Sequence, residues 1–279
     1  MILIAILLGT LSAGIGSVWL AALLSFGMLA RYTQHMLSLA AGALLATAFM
    51  HLLPEAFESQ IDPQKLFATL LVGLVFFFLL DKAELWHHGH EHHDAERAVQ
   101  PGSSIASQSL ADHGHSHEDG HGHGHGHNHA SGGWAVLAGD SVHAFGDGIL
   151  IASAFMADLR LGVVATLAVL VHEVPHHMGD LIVLRQSSGN RRVALVKVTL
   201  AGAVTALGGV VGYALVDKLF DFLPFFLIIA SSSFVYVALA DLIPQLQKRA
   251  SAGETAAQIA WLAIGIGLVT LISGLVHAH

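Results

Sequence analysis

The chain has 279 residues, 54% of them hydrophobic and only 11% charged, with a formal net charge of −8 and a mean hydropathy of +0.65. A soluble globular domain averages about 25% charged residues, so the composition excludes one and indicates an all-α membrane protein with several spans. There is no cysteine. That excludes a disulfide framework and thiolate metal sites, and leaves His, Asp and Glu to hold any metal.

About twenty apolar residues are needed to cross a bilayer. On that rule the chain holds eight transmembrane helices, at about 2–29, 36–57, 66–85, 134–156, 161–184, 194–216, 222–246 and 256–277. The first begins Met1-Ile-Leu-Ile-Ala-Ile and lacks the positive start of a signal peptide. Its apolar run reaches Leu29, longer than a signal core, so it reads as a span. The second ends in His51-Leu-Leu-Pro-Glu55, two ligand types spaced i, i+4 with a proline before the second. This pair suits a pore mouth or a secondary site, and a solvated helix end would look the same.

After the third span, residues 86–133 break the apolar pattern. They hold thirteen of the chain's 21 histidines: His87, His88, His90, His92, His93, His113, His115, His117, His121, His123, His125, His127 and His129. Gly and Ser fill much of the rest, so no core can form and a disordered loop is expected. Alternating His-Gly offers many weak, interchangeable metal sites, from His113 to His129, and no fixed geometry. A solvated linker is the plain alternative to a metal buffer or sensor.

The fourth and fifth spans carry the densest polar sets. Ionisable groups at membrane depth cost about 2.5–3.5 kcal/mol each on insertion scales and mark functional sites by default. The fourth contains Asp140, His143 and Asp147. At ~100° per residue these fall at about 0°, 300° and 340°, one shared face. The fifth contains His172-Glu-Val-Pro-His-His-Met-Gly-Asp180. With His172 at 0°, His176 lies near 40°, Asp180 near 80° and Glu173 near 100°, while His177 stands at that face's border, near 140°. His143/Asp147 and His172/His176 are both i, i+4 pairs, close enough to grip one cation. Two such helices face to face would supply His143, Asp147, His172, Glu173 and His176, a mixed set suited to zinc or iron(II). Asp140, His177 and Asp180 stand beside them as secondary ligands. Pro175 removes a backbone bond and predicts a kink there.

The sixth span is rich in small residues (Gly202, Gly208, Gly209 and Gly212), with Thr205 its one notable mid-span polar group, and reads as a packing helix. The seventh repeats the pattern of the second in Asp241-Leu-Ile-Pro-Gln245. Orientation follows from Lys and Arg. The odd-numbered loops hold Arg31, Lys82, Arg97, Arg185, Arg191, Arg192, Lys197, Lys248 and Arg249, against Lys65, Arg160 and Lys218 in the even ones. The odd loops are therefore expected in the cytoplasm, the histidine-rich one among them, with both termini outside.

Together these features resemble the ZIP family of zinc and iron transporters, over nearly the whole chain. The specific motifs are His-Ala-Phe-Gly-Asp-Gly at 143–148 and His-Glu-Val-Pro-His-His-Met-Gly-Asp at 172–180. The second is similar to the His-Glu-x-Pro-His-Glu-x-Gly-Asp signature of one family branch. The resemblance implies a single transport domain over 1–279, a homodimer in the cell (inner or plasma) membrane, and import of a divalent metal into the cytosol by alternating access. It implies metal ligands at His143, Asp147, His172, Glu173 and His176, with His51 and Asp241 along the pathway. The metal would be transported substrate and not a catalytic cofactor. Four positions depart from the family's pattern. Ala144 replaces a frequent Asn, His177 the signature's Glu, Thr205 a sixth-span Glu of some branches, and Gln245 a common Glu. These leave one well-supported metal site and count against a second, carboxylate-rich one.

No nucleotide-binding motif is visible, so neither ATP nor nucleic acid is an expected partner. The partners are metal, lipid bilayer and a second copy. His172-Glu-Val-Pro-His176 also spells H-E-x-x-H, which in a membrane metalloprotease would make Glu173 a general base. Pro175 and the extra ligands on the fourth span speak against that reading. A metal exporter remains the other alternative.

Overall fold

The computed structural model describes residues 1–25, 33–97, 131–246 and 251–277. Among them there is no strand, and these described residues form eight helical rods. Rod α1 covers 2–25, α2 33–57, α3 Pro63–Arg97, α4 Ser131–Ala157, α5 Leu159–Ser188, α6 Arg191–Lys218, α7 223–246 and α8 Ala252–His277. Seven stretches are long and apolar enough to cross a membrane: Ile2–Leu24, Gln34–Phe57, Pro63–Leu80, Leu159–Arg185, Arg191–Lys218, Phe220–Leu246 and Ala252–Gly274. Each coincides with an expected span. The remaining expected span, 134–156, is helical throughout, and its 27-residue helix is long enough for a membrane at ~40 Å.

The outer faces suit lipid. Leu71, Val72, Phe76 and Leu79 on α3 and Ile259, Ile264, Leu268 and Leu271 on α8 are all exposed, a surface too apolar for a water-soluble monomer. The inner core joins α1, α2, α4, α5 and α7 through residues such as Ile6, Leu44, Leu52, Ile151, Val169, Leu227 and Phe234.

Turn chemistry sets the register of the central helices. A single residue, Asp158, separates α4 from α5, and its side chain caps α5 by accepting from the Arg160 amide at 2.8 Å. Only Gly189 and Asn190 separate α5 from α6. Gly189 closes α5 in the left-handed region at φ 62°, where a Cβ would be strained, and Asn190 caps α6 through the Arg192 amide at 2.9 Å. Such short turns make α4, α5 and α6 antiparallel neighbours. α4 and α6 then approach backbone to backbone. A Cβ on Gly148 would meet the Thr205 carbonyl, and one on Gly208 the Phe145 carbonyl. The small residues of the sixth span thus serve the close packing expected of them.

Two features differ from the sequence reading. The third helix does not end with its apolar run at about 85 but continues to Arg97, so residues 86–97 belong to a helix and not to the expected disordered loop. Trp86 to Arg97 has no proline and includes Glu91, Ala95, Glu96 and Arg97, all good helix formers. Loss of hydropathy ends a span without ending the helix. The remainder of that loop, with His113, His115, His117, His121, His123, His125, His127 and His129, lies outside the described residues.

The second difference is that three other helices hold π-turns, which the sequence reading did not expect. α5 runs through Pro175 as one α-helix. The π-turns lie elsewhere: Ser12–Gly16 in α1, Ala48–Leu52 in α2 and Val237–Leu242 in α7. In α2 the Leu53 amide reaches back five residues to Ala48, and in α7 the Ile243 amide reaches back five to Ala238. Each is followed at once by a proline, Pro54 or Pro244. A proline cannot donate to the carbonyl four residues back, so the turn before it can widen at little cost. The widened turns carry His51 and Asp241, and π-turns gather at functional positions.

Candidate metal centre

The Asp158 turn fixes the height of the polar residues on α4 and α5. His143 stands fifteen residues before it and His172 fourteen after, about 22 and 21 Å along antiparallel helices. They are therefore level, and their Nε2 atoms lie 3.3 Å apart. Glu173 is close to the midpoint of Leu159–Ser188, the place in a spanning helix farthest from water.

Four side chains converge there. His143 Nε2 is 3.4 Å from Glu173 Oε1 and 3.8 Å from Asp147 Oδ2. His172 Nε2 is 3.2 Å from Glu173 Oε1 and 3.3 Å from Asp147 Oδ2. Zinc bound tetrahedrally at roughly 2.0–2.2 Å holds its ligand atoms about 3.3–3.6 Å apart. Five of the six edges of this group, at 3.2–3.8 Å, come close to that figure without adjustment. His172, Glu173 and Asp147 are buried, and the His143 side chain keeps 28% of its surface. Asp147 Oδ2 and Glu173 Oε1 meet no hydrogen-bond donor in bonding geometry among the described residues. Buried carboxylate oxygens are rarely left so, and a cation between them would satisfy both. The His172 ring is oriented from behind, its Nδ1 3.3 Å from the Ala168 carbonyl. That contact selects the tautomer with Nε2 free to ligate.

His176, expected in the same group, is turned aside. Its Nε2 meets Asp241 Oδ2 on α7 at 3.0 Å, and Asp241 Oδ1 accepts from Gln245 Nε2 at 2.8 Å. The His176 ring stays near the others, 5.7 Å from that of His143 and 6.2 Å from that of His172 between centroids. The pair links α5 to the π-turn of α7, half exposed. His172 and His176 thus do not converge as a zincin pair would.

His177, at the border of the expected face, is completely buried, and its Nε2 is 3.0 Å from Glu173 Oε2. Its Nδ1 is 3.7 Å from Asp180 Oδ2 and 3.9 Å from Asp140 Oδ1. Asp140, His177 and Asp180 therefore stand together, beside the four-residue group and joined to it through Glu173. His51 lies apart, with Nδ1 3.5 Å from Ser273 Oγ on α8, and Glu55 is half-buried near the end of α2.

A cavity of about 550 Å³ opens beside the site. Its walls run from Pro175 and His176 past Asp180 to Arg185 on α5 and Arg191 on α6, with Leu242 and Gln245 of α7 opposite. Pro175 to Arg185 covers about 15 Å of helix, half a bilayer core. The cavity therefore leads from mid-helix to the end where the arginines of the α5–α6 turn lie.

The family model for the ZIP zinc transporter matches residues 1–273. The chain belongs to that family. Its members are transporters and not enzymes, which removes the metalloprotease alternative. Among curated relatives, the zinc transporter ZIP13 homolog of Drosophila melanogaster is 26% identical over 278 residues, covering 85% of this chain and 76% of its own length. Zinc transporter ZIP4 of Homo sapiens is 28% identical over 251 residues, 77% of this chain and 39% of its own. Zinc transporter ZIP10 of Danio rerio is 33% identical over 151 residues, 52% of this chain and 18% of its own. The chain thus spans well under half the length of several curated relatives it matches. The family, together with the apolar helices, places the chain in a membrane with several passes.

Proposed function

We propose that this chain carries a divalent metal cation, zinc foremost, across the membrane into the cytosol through His143, Asp147, His172 and Glu173. One observation carries the reading: four ligand atoms from α4 and α5, three of them on buried side chains, stand near tetrahedral spacing in the middle of a helix bundle. A hydrated cation entering there exchanges water for two imidazoles and two carboxylates. Their two formal negative charges match its two positive ones, and the apolar surroundings do not have to hold net charge.

In this reading Ser131–Ala157 is the fourth of eight spans and residues 1–279 form one transport domain. The positive odd loops face the cytoplasm and both termini the outside of the cell membrane. The cavity that ends at Arg185 and Arg191 is then the inner vestibule. The His176–Asp241 pair lies at its head and is the contact to break when α5 moves against α7 in alternating access. The chain works as a homodimer.

The test is metal uptake into proteoliposomes of known orientation, with zinc, iron(II), manganese and cadmium in competition. Zinc entering from the face opposite the α5–α6 turn is expected, and it is lost in His172→Ala. Flux only from the α5–α6 face outward would refute import. Binding without flux in either direction would refute transport. The cysteine-free chain suits a topology check, since a single cysteine placed at Ser116 should react only with cytoplasmic-side reagents.

A further inference from the structure

The cavity that opens beside His176 is not built like a path for ions alone. Its uncharged or acidic polar wall residues are His176, Asp180 and Gln245. Apart from these and two arginines, every wall residue is apolar or glycine. The apolar part comes from five helices: Ala22 of α1, Leu37 of α2, Met178 and Leu181 of α5, Leu195 of α6 and Leu242 of α7. Arg185, in the last turn of α5, and Arg191, the first residue of α6, line the far end. Both are exposed, and Arg185 makes no ion pair among the described residues. Two guanidinium groups at that end repel a cation and attract an anion.

We propose that this cavity holds one anionic phospholipid, its headgroup phosphate on Arg185 and Arg191 and an acyl chain along the apolar wall. Guanidinium is the side chain best suited to phosphate, which it meets with two parallel N–H donors. The volume, about 550 Å³, falls among cavities that take a small organic ligand, roughly 300–1,000 Å³. The length fits as well. The ~15 Å from Pro175 to Arg185 is one leaflet's share of the hydrocarbon core, the depth to which an acyl chain reaches. Water is a poor occupant of so apolar a space, where it finds few partners, and a chain that displaces it gains by burial. The α5–α6 turn also lies on the side expected in the cytoplasm. Anionic lipids collect on that side, and basic pockets between helices there bind their headgroups.

Lipid binding goes beyond the transport reading and does not rest on it. Where the cavity is also the inner vestibule, a lipid seated in it closes the exit at rest and gives way as an ion passes.

The test is native mass spectrometry of the full chain, without added metal, from an equal mixture of phosphatidylglycerol and phosphatidylcholine with the same acyl chains. One retained phosphatidylglycerol per chain is expected. A preference of roughly 30-fold follows from two arginines acting on its charge. Arg185→Gln/Arg191→Gln should abolish that preference, and Leu195→Trp, which puts a larger ring into the cavity, should release the lipid with both arginines in place. A melting curve establishes that each variant is folded, and phosphatidylglycerol should raise the wild-type melting temperature where glycerol 3-phosphate does not. Equal retention of the two lipids would mean a general lipid coat only and overturns the proposal. So does an undiminished preference in the folded double-arginine variant, or undiminished retention in folded Leu195→Trp. Equal protection by glycerol 3-phosphate would reduce the site to a phosphate contact and overturns the acyl-chain site. None of these results touches the metal centre, whose own test is uptake.

Discussion

Glu173→Gln is the substitution that bears hardest on the metal centre. The two side chains have nearly the same volume, so the packing around a residue only 2% exposed is kept. What is lost is a charge and one ligating oxygen. Glu173 stands within 3.0–3.4 Å of three imidazoles, His143, His172 and His177, and its carboxylate is half of the formal negative charge of the first site. Removing one charged partner from a buried, compensated group costs ~3–5 kcal/mol. At ~1.4 kcal/mol per factor of ten, metal held at this site weakens by two to three and a half orders of magnitude. Initial uptake of radioactive zinc by proteoliposomes, at zinc below saturation, should therefore fall at least ~100-fold. Glu173→Asp keeps the charge but withdraws it by about one carbon–carbon bond, and should fall in between. A melting curve and gel filtration establish that each variant is folded. If folded Glu173→Gln transports within about threefold of wild type, the convergence of α4 and α5 on a metal is wrong.

Other substitutions separate the parts of the site. His172→Ala removes a first-site ligand and should abolish zinc uptake, whereas His176→Ala loosens only the contact to Asp241 and should reduce it ~10-fold; equal losses would put His176 among the ligands. Deleting residues 112–129 takes out the alternating His-Gly run and should leave most of the uptake rate, so a loss as deep as that of His172→Ala would make the run part of the pathway. Gly148→Val places a branched side chain against the Thr205 carbonyl and should lower the melting temperature, overpacking of this kind costing about 1–3 kcal/mol; an unchanged melt would show that α4 and α6 do not pack as closely as described.

Residue-level chemistry in the sequence reaches a long way here. Hydropathy locates the spans because a bilayer demands helices of a set length. At ~100° per residue, Asp140, His143 and Asp147 share one face of the fourth span, and His172, Glu173 and His176 one face of the fifth. The likeness of His172–Asp180 to the ZIP signature points to the family the chain belongs to. His143, Asp147, His172 and Glu173 were all legible in this way.

Only the tertiary structure decided which way each side chain turned. A helical wheel gives angles about one axis but not the positions of the neighbouring axes. His176, well inside the expected face, turns to Asp241 because α7 stands on that side of α5. His177, at the border of the face, is buried because Asp140 of α4 stands on the other. The π-turns in α2 and α7 escaped a reading that assumes 3.6 residues per turn throughout, although Pro54 and Pro244 lie right after them. The extent of α3 escaped it too, because backbone hydrogen bonds continue where hydropathy stops. Sequence fixes composition, spacing and turn positions, which are local. The joining of His177 to the four-residue group through the two oxygens of Glu173 depends on how neighbouring helices pack, and that emerges only when the whole bundle has formed.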